Sequence, residues 1–134
     1  MANAPQNAPR SLPRPTDAEL EILTVLWSRG ATTVRDVHET IAARKPTQYT
    51  TVLKTMQIMA DKGLVRRDET QRAHIYEAAR PQEHTQQQLA GDLLQRAFNG
   101  SARSLMLGAL SARKASKAEL AEMRRLIDEF EAEK

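Results

Sequence analysis

Between positions 47 and 55 the chain collects hydroxyls, an amide, a phenol and a cation: Thr47, Gln48, Tyr49, Thr50, Thr51, Lys54 and Thr55. These are side chains that read or grip a nucleic acid. A glutamine amide pairs with an adenine edge, a threonine methyl meets a thymine methyl, and hydroxyl or ammonium groups bind phosphate. A second group, Arg66, Arg67, Arg72 and His74, supplies cations from a short ribbon-like stretch, and Arg35 is a further phosphate candidate. Helix capping alone also gathers Ser and Thr at helix starts, but it does not explain a basic ribbon following such a cluster.

Catalysis leaves different traces, and they are missing. There is no Gly-rich phosphate loop, no His/Glu metal pair at helical spacing, and no Ser, His and Asp set with a supporting motif. Carboxylates such as Glu19 and Glu21, or Asp128 and Glu129, read as solvated helix faces. His38, His74 and His84 are scattered and no cysteine occurs, so the expectation is no catalytic residue, no metal, no cofactor and no disulfide.

The elements that must position these groups are legible from periodicity and punctuation. Thr16 and Glu19 have capping-box spacing, and Leu20, Leu23, Leu26 and Trp27 follow on one face until Gly30. Thr32 or Thr33 opens a second helix with Val34, Val37 and Ile41 inward, ending before Pro46. Thr47 is expected to cap a third, with Val52, Met56 and Met59 inward and Gly63 as its left-handed stop. Leu64 to Asp68 and Ala73 to Glu77 then form a hairpin with Tyr76 as a packing residue. Helix, turn, helix and basic hairpin in this order predict a winged helix-turn-helix over residues 16–80. The third helix would enter the major groove and the hairpin would flank it, with Tyr49 the aromatic facing the ligand.

Residues 81–134 read as helical: a Gln-rich helix to about Asn99, a short one over Arg103 to Leu110, and a last one capped by Ser116. Leu89, Leu93, Leu105, Leu120, Met123, Ile127 and Phe130 form narrow apolar stripes, which predict a dimerisation region. Folding back onto the chain's own module is the alternative. Residues 1–15, with four prolines, are expected to be a disordered arm whose Arg10 and Arg14 either stay solvated or reach a minor groove. The fold class is therefore mainly α, with three helices and a small β-hairpin wing followed by a helical dimerisation region.

Composition agrees. At 134 residues with 4% aromatic and 40% hydrophobic content, a small helical module with a thin core fits better than a large mixed core. The net charge is +3. Residues 1–80 hold 12 Lys or Arg against 9 Asp or Glu, whereas residues 81–134 hold 8 of each, so the whole excess lies where a polyanion would be met. No apolar run reaches a spanning length, and the N-terminus has no secretory signal pattern, which predicts a cytoplasmic protein without membrane insertion.

The runs Tyr49-Thr50-Thr51-Val52, Lys62-Gly63-Leu64-Val65 and Arg72-Ala73-His74-Ile75-Tyr76, with Thr16-Asp17-Ala18-Glu19-Leu20-Glu21-Ile22-Leu23 and Leu26-Trp27, resemble the penicillinase repressor family (BlaI/MecI/CopY type). The likeness extends from residue 12 to about residue 131. It implies a bacterial homodimeric repressor on a dyad-symmetric DNA operator, held by a C-terminal helical region. In several members a membrane-bound sensor peptidase system triggers cleavage in the tail. The segment Arg103 to Ala109 resembles the cleaved one, but Gly108-Ala109 stands where the β-lactam repressors have Asn-Phe. The C-terminal cysteines of the copper-responsive members are also absent. A winged-helix protein-interaction adaptor without sequence-specific DNA binding, and a small-molecule-gated regulator, are the competing expectations.

Overall fold

Pro15 and the Thr16-x-x-Glu19 pattern set where the ordered module begins. In the computed structural model, which describes residues 13–133, Pro15 is buried and Thr16 caps α1 (Asp17–Arg29). The capping box is reciprocal: the Glu19 amide donates to Thr16 Oγ1 at 3.1 Å and the Thr16 amide to Glu19 Oε1 at 3.0 Å. Residues 1–12, with Arg10 and most of the expected arm, lie outside the described residues.

Of the two candidate caps for α2 (Val34–Ala42), Thr33 does the capping, accepting from the Asp36 amide. Thr32 has another role. Its backbone exchanges hydrogen bonds with Tyr76, at 2.9 and 2.7 Å, and adds a single bridge to the free edge of the wing. The expected cap of α3 (Tyr49–Lys62) is corrected: the N-cap is Gln48, without a side-chain cap bond. Thr47 turns its hydroxyl back to the Lys45 carbonyl instead, at 3.0 Å across Pro46.

At the other end of α3, Gly63 adopts φ 83°, ψ 12°, its amide bonds to Ala60 O and the Leu64 amide to Met59 O. This is a Schellman closure. It takes the Leu64 amide, although the Leu64 carbonyl still accepts from the Ala79 amide at 3.0 Å. The strands are β1 (Val65–Asp68) and β2 (Ile75–Ala78), each starting later than expected. They pair antiparallel with Val65 opposite Ala78 and Arg67 opposite Tyr76.

The core is where the patterns converge. Ile22, Leu23, Val25 and Leu26 of α1, Val34, Val37 and Ile41 of α2, and Val52, Met56 and Met59 of α3 are buried together with Leu64, Val65 and Tyr76. Trp27 packs at its margin and donates its indole N–H to the Arg80 carbonyl at 2.9 Å, tying α1 to the chain beyond the wing.

The chain falls into two compact units, the first ending at Leu89 and the second beginning at Ala90, and α4 (Gln82–Phe98) runs through that point. The second unit holds the end of α4, then α5 (Ala102–Ala112) and α6 (Lys117–Ala132). Asn99 and Gly100, at φ 51° and 79°, make the turn after α4, and Ser101 and Ser116 cap the next two helices. Gly108 faces the Phe98 ring, which a Cβ at that position would meet at 3.5 Å. None of α4, α5 and α6 carries a buried residue. No described helix is long and apolar enough to cross a membrane.

Candidate nucleic-acid interface

Because Val52, Met56 and Met59 fix the inward side of α3, the helical repeat puts Thr50, Lys54, Gln57, Ile58 and Asp61 on the opposite side. All five are exposed. The flanks differ in what they meet. Tyr49, Leu53 and Gln57 line an open groove whose other walls carry Arg35 of α2 and Arg72 and His74 of the wing. On the far flank Thr47, Gln48, Thr51 and Thr55 border a shallow depression that includes Glu21 and Lys45.

The candidate residues are therefore divided over three aspects of one helix. Thr50 and Lys54 point outward, Tyr49 turns toward the wing, and Thr47, Gln48, Thr51 and Thr55 turn toward α1. Gln57 was missed by sequence reasoning, though it follows Thr50 by seven residues and Lys54 by three, a spacing that would have found it. It is the one side chain on both the outward face and the groove.

The cations differ in their pairing. Arg66 is engaged twice, by Glu77 at 3.3 Å and by the Ala79 carbonyl at 3.2 Å. Arg67 pairs with Glu69 at 2.6 Å, and its hydrogen bond with Tyr76 is the main cause holding the guanidinium pKa above its usual value, Glu69 adding to it. By contrast Arg35, Lys54 and Arg72 form no salt bridge among the described residues. The wing tip is organised by Asp68, whose carboxylate accepts from both the amide and the hydroxyl of Thr70, at 2.9 and 2.7 Å, and is held below its usual pKa by them.

Two side chains with the pattern of ordinary surface groups are built into the module. His38 places Nε2 2.7 Å from the Thr47 carbonyl and its ring edge-on to Tyr49, centroids 5.7 Å apart. Glu19, expected on a solvated face, is 3% exposed, with the Lys62 ammonium at 2.7 Å. Burial pushes the Glu19 carboxyl up, but Lys62 and the Thr16 amide and hydroxyl outweigh it and hold the pKa below the usual value. The capping spacing hid this, because its partner lies 43 residues away. Glu21 likewise meets Lys45 at 3.0 Å and Arg44 at 3.4 Å. Among the described residues no group of three or more His, Asp or Glu could hold a metal ion.

In the second unit Leu93, Ile127 and Phe130 are exposed, as are Met106, Leu107 and Leu126, which sequence reasoning did not single out. Leu105, Leu120 and Met123 are half-buried there, and so is Leu89 at the end of the first unit.

Residues 15–129 match the family described as Penicillinase repressor. The chain is also 36% identical over 97 residues to the transcriptional regulator BlaI of Mycobacterium tuberculosis, in strains CDC 1551 / Oshkosh and H37Rv. The match spans 72% of this chain and 70% of the relative. These relatives are transcriptional regulators, not enzymes. With the winged-helix order of elements and a match over almost all the described residues, the chain belongs to the penicillinase repressor family of transcriptional repressors.

Proposed function

We propose that the protein is a homodimeric, cytoplasmic bacterial repressor that binds a dyad-symmetric DNA operator, with α3 as the reading helix of each subunit. The observation that carries this reading is the groove where Arg35 and Arg72, free of salt bridges among the described residues, face Tyr49 and Gln57 beside the outward Thr50 and Lys54. Such cations beside an exposed polar helix suit phosphates along one side of a major groove. The α3 N-terminus has no side-chain cap, so its Tyr49 and Thr50 amides are offered to phosphate, whereas the Thr51 amide donates to the Gln48 carbonyl. Arg66 and Arg67 must share or surrender their carboxylates to do the same, and we rank them behind Arg35, Arg72 and His74.

The exposed apolar residues of α4, α5 and α6 support the dimer, because a helical unit without a buried residue gains its core from a second copy. For release through a sensor peptidase system, Gly108 and Ala109 lie inside α5, so cleavage there requires that helix to unwind.

Fluorescence anisotropy with duplex DNA across a salt series tests the function. A repressor gives affinity that falls steeply with salt and one strongly preferred sequence. A winged-helix adaptor gives little duplex binding at physiological salt and no preference.

A further inference from the structure

The turn between α2 and α3 is closed by its own backbone, the Arg44 and Lys45 amides donating to the Ile41 carbonyl, but no side chain of the turn caps α3. Gln48 makes no side-chain cap bond, and the Thr47 hydroxyl is committed to Lys45. The start of α3 gains a further tie from α2. His38 reaches across nine residues to the Thr47 carbonyl at 2.7 Å. A carbonyl only accepts, so the ring carries its proton on Nε2 and donates it. The same ring stands at 84° to Tyr49, an edge-to-face contact that restricts the phenol's rotation. Tyr49 lines the groove with Arg72 and His74, and it is 43% exposed, so one side of its ring is braced while the rest stays open.

We propose that His38 is a positioning residue for sequence reading: it holds the Thr47 carbonyl and the Tyr49 ring together, and so fixes how the first turn of α3 meets base edges. It touches no DNA itself. The proposal rests on α3 being the reading helix. Because the device orients a reader and adds no charge to the phosphate-facing surface, its loss lowers discrimination between sequences and leaves the salt-dependent background intact. A histidine that merely stabilised the fold would act on all duplexes equally.

The test uses the full chain and two duplexes of equal length, one enriched by the wild-type protein from a random-sequence pool and one scrambled. His38→Ala, His38→Gln and His38→Phe are compared, with melting curves to establish that each is folded. Gln keeps a donor for Thr47, and Phe keeps a ring edge for Tyr49. His38→Ala is expected to reduce the ratio of enriched to scrambled affinity by about tenfold. Gln without the ring edge, and Phe without the donor, should each lower that ratio by about three- to fivefold, the size of one hydrogen bond or ring interaction. Scrambled-duplex affinity and salt slope stay at wild-type values. If Ala does not fold, the Gln and Phe ratios decide alone. Unchanged ratios in Gln and Phe, or equal losses on both duplexes, overturn the role of His38. Failure of the wild type to enrich any duplex overturns instead the assignment of α3 as reader.

Discussion

Lys54 and Arg72 are both cations without a salt bridge among the described residues, yet they stand in different places and should fail differently. Lys54→Ala, on the outward face of α3, is expected to change sequence preference as well as affinity, by about 1–3 kcal/mol on the preferred duplex. Arg72→Ala and Arg35→Ala should weaken all duplexes alike and flatten the salt slope by up to about one unit each, with a smaller effect for Arg66→Ala. Salt-dependent anisotropy on preferred and random duplexes checks both, and uniform loss for Lys54→Ala would count against its place as a reader. Glu19 belongs to stability. Its pKa is lowered on folding, so its contribution is present above the usual carboxylate value of 4.5 and fades as pH falls through the lower folded value. Glu19→Gln should cost on the order of 2 kcal/mol at pH 7, given a buried pair whose lysine is partly solvated, and the gap to wild type should close in acid. Urea unfolding at pH 7 and pH 3 measures it, and a gap that widens in acid would refute the pair. The cluster from Thr47 to Thr55 was visible in the sequence because residue type carries it. Its division into outward, wing-facing and α1-facing groups was not, since that depends on which face the core takes.

The elements were legible where their signals are local. Thr16 with Glu19 and Gly63 after Lys62 each act within a few residues, so type and spacing suffice, whereas the cap of α2 was narrowed only to Thr32 or Thr33. Thr47 misled because its hydroxyl bonds back to the Lys45 carbonyl, and the start of β1 shifted because the closure at Gly63 takes the Leu64 amide. Contacts between distant segments left no trace: the Thr32 bridge to Tyr76, Trp27 on Arg80, and Glu19 on Lys62 join residues that share no pattern. Gly63 offers the clearest test at this scale. Gly63→Ala forces a Cβ into φ 83° and should destabilise the module by about 1–2 kcal/mol, read as a shifted urea midpoint with an unchanged slope. Wild-type stability in that variant would mean that the helix end does not depend on the left-handed residue.

The molecule as a whole joins a charged module with its own core to a helical unit without one. The apolar stripe of α6 was legible as a 3.6-residue pattern, but Met106, Leu107 and Leu126 were not, because exposure depends on how the helices of that unit fold together. Met123→Glu combined with Ile127→Glu should give a monomer by sedimentation and lower operator occupancy at a given protein concentration, with the DNA face untouched. A persistent dimer would remove that stripe from the interface. Whether two copies of α3 read one dyad-symmetric site is measured by selecting binding sequences from a random duplex pool with the intact chain. The expected result is an inverted repeat whose half-sites are centred about one helical turn, roughly 34 Å, or a multiple of it apart; a pool without enrichment, or a single half-site without symmetry, would contradict it.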